Sequence, residues 1–142
     1  MKYFFLDTNV VIDVLANRAP FSDDAASLLD YAEKGKVSLF ISALSYSNIY
    51  YILRKTCTHK ELMSLLRDIE GITTTLDVTG EMIRESITSG HKDFEDSIQL
   101  NTALSDKRIQ AIVTRDPQGF KTKEIAILNP KEALSMIEVV GS

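Results

Sequence analysis

The sequence predicts an α/β fold, a three-layer α/β/α sandwich on a central, mainly parallel sheet of about five strands. Three observations predict it. Short apolar or β-branched runs recur along the chain and are continuous rather than alternating, as strands covered on both faces are. Between them lie longer segments whose apolar residues fall at helical spacing. No Pro/Gly/Ser-rich linker, low-complexity tract or internal repeat interrupts the alternation, so residues 1–142 are expected to form one domain.

The elements follow in chain order. Tyr3 to Leu6 is the first strand, ended by Asp7. Val10, Val11, Val14 and Leu15 make the apolar stripe of a first helix. Ala25, Leu28, Leu29 and Ala32 keep the i, i+3, i+4, i+7 spacing of a second, with Gly35 placed to stop it. Val37 to Ile41 is the second strand, and Ser42 then caps a helix carrying Tyr46, Ile49, Tyr50 and Leu53. Thr58 and Glu61 spell a capping box ahead of Leu62, Leu65, Leu66 and Ile69, with Gly71 as the expected stop. Thr73 to Leu76 is a weaker third strand. Thr79 caps a helix with Met82, Ile83 and Ile87 that ends at Gly90, and Asp93 opens another through Leu104. Ala111 to Thr114 and Ile125 to Leu128 are the last strands. Asn129-Pro130 reads as cap and first residue of a terminal helix with Ala133, Leu134 and Ile137.

Composition narrows the function classes. Hydrophobic residues at 44% and charged residues at 25% are globular proportions. Twenty acidic against sixteen basic residues leave a charge of -4, which disfavours charge-driven coating of nucleic acid. Cys57 stands alone, so no intrachain disulfide forms, and a reducing cytoplasmic setting is expected. With only His59 and His91 beside it, no structural zinc site can be assembled. The apolar run after Lys2 stops at Asp7, short of the ~7–15 residues of a signal peptide core. Nothing approaches the ~20 apolar residues of a membrane span, so no membrane partner is expected.

The carboxylates carry the chemistry. Parallel α/β sheets bind ligands beyond the carboxyl ends of their strands, where the strand order reverses. In a 3-2-1-4-5 order the first and fourth strands meet at that reversal. Asp7 follows the first, and Asp116 follows the fourth after Thr114-Arg115. Asp93, Glu95 and Asp96 open the helix feeding the fourth strand, whose N-terminus lies at the same edge. Asp93 and Asp96, three apart, share a face, while Glu95 is expected to point elsewhere. Carboxylates crowded this way take up protons unless a cation neutralises them. Oxygen donors without Cys or His suit a hard ion, Mg2+ or Mn2+, which activates water and polarises a phosphoryl oxygen. Phosphodiester hydrolysis is the chemistry this favours. Each acid also has a structural reading: Asp7 as a helix cap, Asp93 with Asp96 as a capping box, and Asp116-Pro117 with Gly119 as a turn. Their common edge favours the site, and a cap can also be a ligand.

These residues resemble the PIN-domain nucleases, especially the VapC-like toxins of toxin–antitoxin pairs. Leu6-Asp7-Thr8-Asn9-Val10 with Ile12-Asp13 looks like the opening motif. Asp93-Phe94-Glu95-Asp96-Ser97-Ile98-Gln99 with Thr102-Ala103 looks like the central acidic helix. Val113-Thr114-Arg115-Asp116, then Phe120, looks like the closing strand and turn. The resemblance implies a metal-dependent endoribonuclease acting on RNA, usually homodimeric and often held by a cognate antitoxin. By matched position it makes Asp7, Asp96 and Asp116 the catalytic metal ligands, with Asp93 an auxiliary and Thr8 and Thr114 orienting them. Arg115 is the best-placed cation for substrate, or else pairs with the acids.

One position departs from the family. An acid is common in the helix after the second strand, near Asn48, yet Ser42 to Cys57 holds no Asp or Glu. Asn48 offers an amide oxygen without charge, or is a solvated helix residue without a role. The alternative function is therefore a non-catalytic PIN-fold module that binds RNA or protein. A phosphatase with Asp7 as nucleophile on an Asp-x-Asp motif is disfavoured because position 9 is Asn. Tyr46 and Tyr50 lie on the core stripe, so packing is expected of them ahead of base stacking. Tyr51, Arg54 with Lys55, and Lys121 with Lys123 are lesser candidates for nucleic-acid contact. His59 and His91 are expected at the surface.

Overall fold

The computed structural model describes residues 1–141, with side chains described to residue 137. In chain order the elements are β1 (Lys2–Leu6), α1 (Thr8–Leu15), α2 (Ser22–Glu33), β2 (Val37–Ser42), α3 (Ala43–Leu53) and α4 (His59–Ile72). They continue with β3 (Thr74–Leu76), α5 (Gly80–Thr88), α6 (Phe94–Leu104), β4 (Ala111–Val113), a 3-10 turn (Pro117–Gly119), β5 (Ala126–Leu128) and α7 (Pro130–Gly141). All five strands are parallel, in the order β3-β2-β1-β4-β5. The order reverses between β1 and β4, as the expected 3-2-1-4-5 arrangement requires. No helix among the described residues is long and apolar enough to cross a membrane.

The three layers follow from the period-two alternation of strand side chains. Phe4, Leu6, Leu39, Ile41, Ala111 and Val113 face one side of the sheet. There they pack with Val10 and Val11 of α1, Leu28 of α2, Ile49 of α3, Leu62 of α4 and Ala133 of α7. Phe5, Phe40 and Ile112 face the other, against Leu100 and Ala103 of α6, Ile109 and Phe120. Burying each large apolar side chain stabilises the fold by roughly 1.5–3 kcal/mol.

The capping signals resolve with one difference. Ser42 Oγ accepts from Leu44 N, Thr79 Oγ1 accepts from Met82 N, and the Thr58–Glu61 capping box is reciprocal. Asn129 and Glu132 form a second such box at α7. Gly35 and Gly90 take φ of 74° and 78°, as helix-ending glycines do. Gly71, by contrast, lies inside α4. Thr73 ends that helix instead, its hydroxyl donating to the Ile69 carbonyl at 2.7 Å before the chain enters β3 directly. A hydroxyl that caps the last turn removes the need for a left-handed glycine.

Candidate active site at the carboxyl edge of the sheet

Asp7 leaves β1 and caps α1, its Oδ1 accepting from Thr8 N at 2.9 Å. It is only 6% exposed. Thr114, the first residue past β4, donates its hydroxyl to Asp7 Oδ2 at 2.8 Å. Gln99 Nε2 on α6 reaches Asp7 Oδ1 at 3.2 Å and Thr8 Oγ1 at 3.0 Å. Burial drives the Asp7 carboxyl upward from its ordinary pKa, while the Thr114, Gln99 and Thr8 donors hold it down. The bonds to Thr114 and Gln99 span 107 and 92 residues of sequence, so the sheet and α6 fix this carboxylate together.

Asp93 caps α6 by accepting from Asp96 N at 3.0 Å. The reciprocal bond of a capping box is not formed among the described residues, which leaves the Asp96 carboxylate free. Its oxygen Oδ2 and Oδ2 of Asp116 each lie 3.7 Å from the point a Cβ on Gly119 would occupy. Asp96, Asp116 and Gly119 thus border one small space. Desolvation, then repulsion from Asp7, Asp93, Glu95 and Asp116, raises the Asp96 pKa from 3.8 to about 7. Burial, then repulsion from Asp7 and Asp93, pushes the Glu95 carboxyl up as well.

The remaining candidates divide. Thr8 Oγ1 lies 2.7 Å from Ser45 Oγ on α3, inside the same network. Arg115 turns away from the acids: its guanidinium lies 3.5 Å from Asp13 Oδ1 and 4.9 Å over the Phe21 ring. Asp13 is 1% exposed, and that ion pair is the sole polar partner of its Oδ1, which has no hydrogen bond. Asn48 lies one helical turn beyond Ser45, and no hydrogen bond joins it to Asp7, Asp96 or Asp116 among the described residues. Asn9 donates to Thr114 Oγ1 at 3.4 Å and accepts from Arg115 N at 3.3 Å, so it braces the loop. Tyr46 and Tyr50 pack on the core, their hydroxyls 2.9 Å from Thr75 Oγ1 and His59 Nδ1. Tyr51 is 63% exposed, with Arg54 over its ring.

Gln99 and Ser45 were given no role from the sequence. Both are nearly fully buried polar residues, Ser45 beside the buried Ile49 and Leu53 of α3, and Gln99 between the buried Ile98 and Leu100 of α6, which also buries Ser97 and Thr102. That mismatch is the signal that marks them.

Among the described residues no three His, Cys, Asp or Glu side chains form a ready-made metal cage. Mg2+ asks for less, since it keeps several waters and takes one or two carboxylates. The donor set fits such an ion: every donor is oxygen, and the shared repulsion on Asp96 is what a cation relieves.

A family model described as PIN domain matches residues 3–118. No curated protein matches the chain. Among solved structures, the VapBC2 complex of Rickettsia felis bound to a promoter DNA fragment aligns at TM-score 0.66 and 16% identity. That alignment covers 89% of this chain and 98% of the other. A toxin–antitoxin complex from Klebsiella pneumoniae aligns at 0.62 and 18% identity, covering 89% and 96%. Mycobacterium tuberculosis VapC20, a sarcin–ricin loop cleaving toxin, aligns at 0.59 and 16%, covering 77% and 86%. At these identities the likeness is one of fold.

Proposed function

Because the chain belongs to the PIN domain family, we propose that it is a metal-dependent endoribonuclease, a single domain across residues 1–142 acting as the toxin of a toxin–antitoxin pair. One observation carries the reading. Acids from the ends of β1 and β4 and from the start of α6 gather at one edge, and no Lys or Arg pairs with Asp7, Asp93, Asp96 or Asp116 among the described residues. The solved structures of similar fold include toxin–antitoxin complexes and a sarcin–ricin loop cleaving toxin, which supports the nuclease reading and the antitoxin partner. A homodimer in the cytoplasm completes the reading.

In this mechanism Asp7 and Asp96 would hold a Mg2+ or Mn2+ ion, with Asp116 beside them and Asp93 as auxiliary. When bound, the ion neutralises the cluster and polarises water and phosphoryl oxygen. The chain supplies the orientation. Thr114 and Gln99 hold Asp7 in one rotamer, Thr8 and Ser45 brace Gln99, and the Asp93 cap fixes the first turn of α6. Arg115, its side chain 32% exposed, keeps free N–H groups for a substrate phosphate while Asp13 anchors it.

The test is cleavage of RNA by the purified chain in Mg2+ or Mn2+. Asp7→Asn and Asp96→Asn should each abolish turnover, and expression of the chain alone should arrest growth. Cleavage that persists in either variant, or in excess chelator, overturns the mechanism. Asn48 favours a second reading, a binding module without turnover, because α3 brings only the neutral Ser45 to Thr8 and Gln99 and carries Asn48 where the family often has an acid. RNA left intact after prolonged incubation with Mn2+, yet bound, decides for that module.

A further inference from the structure

The acid edge opens into a cavity of about 480 Å³ whose lining includes Asp93, Asp96 and Gly119 together with His91, Lys92 and Lys121. The volume falls within the roughly 300–1,000 Å³ of ligand clefts. The lysines come from separate loops. Lys92 sits in the turn between α5 and α6, which Gly90 bends at φ 78°, and Lys121 follows the 3-10 turn. Both are exposed, and among the described residues neither has a carboxylate within 4.0 Å, although Asp93 and Asp96 share their cleft. Gly119 lines the cleft beside Asp96, and a Cβ there would lie 3.7 Å from the carboxylate oxygens of both Asp96 and Asp116. Free cations continuous with a cation-seeking acid cluster suit a ligand with successive negative charges. One charge sits at the ion and the next at the lysines.

We propose that this cleft is a subsite for the RNA strand, in which Lys92 and Lys121 hold a backbone phosphate flanking the bond cut at the acid edge. The inference rests on the ribonuclease reading and adds the direction in which the strand leaves the site. His91, partly buried in the lining, is placed to contact the sugar or base of that nucleotide.

The test uses the full chain with single-stranded RNA and Mn2+, comparing wild type with the double variant Lys92→Gln/Lys121→Gln. The variant should raise KM about tenfold with kcat unchanged, because it removes binding and no transition-state contact. Its log–log dependence of kcat/KM on salt should flatten by about 0.7, for one phosphate neutralised on a single strand. The charge-conserving Lys92→Arg/Lys121→Arg should restore both values. Wild-type cleavage with KM and salt slope unmoved in the variant overturns the subsite and leaves the ribonuclease reading standing. A wild type that cleaves no RNA overturns both.

Discussion

At the scale of single residues, the site depends on how a buried carboxylate is kept charged. Asp7 gains its donors from residues remote in sequence, and the Thr114 hydroxyl is the largest of the effects opposing its burial. Thr114→Val removes that donor while keeping the shape. It should cost about 1.5–3 kcal/mol in urea unfolding at pH 8, the usual worth of a hydrogen bond to a charged group. The loss should be smaller at a lower pH, as Asp7 takes up a proton, and Thr114→Ser should recover it. An equal loss at both pH values would mean that packing, not charge, is what Thr114 supplies. The individual aspartates were readable from the sequence as caps and turn formers. Their meeting at one edge followed only once a strand order was supposed, because a cap is a local property and a shared edge is not.

At the scale of elements, helix ends set the geometry. The half-formed cap at α6, with Asp93 bonding the backbone of Asp96 and Asp96 not returning the bond, presents a free carboxylate at the sheet edge. At α4 both bonds of the box are made by Thr58 and Glu61, and no candidate function lies there. Thr58→Ala should therefore destabilise the chain by about 1 kcal/mol, read by thermal or urea unfolding. RNA cleavage at a temperature where both proteins are folded should be unchanged. A loss of cleavage there would place α4 in the site. Helix starts were legible because caps are written in consecutive residues. The end of α4 was not, since Thr73 replaces glycine by a hydroxyl bond that only the path into β3 makes available.

At the scale of the whole molecule, the acid cluster sets stability against pH. Asp96 has an ordinary pKa of 3.8 when unfolded and about 7 when folded, so between those values the folded chain holds the extra proton. Its contribution therefore declines as pH rises through that window. Metal-free melts should show the melting temperature falling across that range, and the fall should be shallower in Asp96→Asn. Mn2+ should raise the melting temperature more at pH 8 than at pH 5, because protons no longer compete for the site. At one hundred times its dissociation constant, an ion adds about 2.7 kcal/mol. A Mn2+ effect independent of pH, or one undiminished in Asp96→Asn, would detach the ion from this cluster.

The sequence by itself determined the layers, because continuous apolar runs and helical stripes can be buried only in a sheet covered on both faces. It also determined which end of the sheet carries Asp7, Asp96 and Asp116, since strand direction follows from parallel pairing. Only the tertiary structure decided what each neighbour does. It turned Arg115 toward Asp13, brought Gln99 to Asp7 and Thr8, and brought Ser45 to Thr8 and Gln99. Those contacts join residues tens of positions apart, so no local pattern encodes them. They exist because burying the apolar faces of α1, α3 and α6 forces their few polar side chains to find partners in one another.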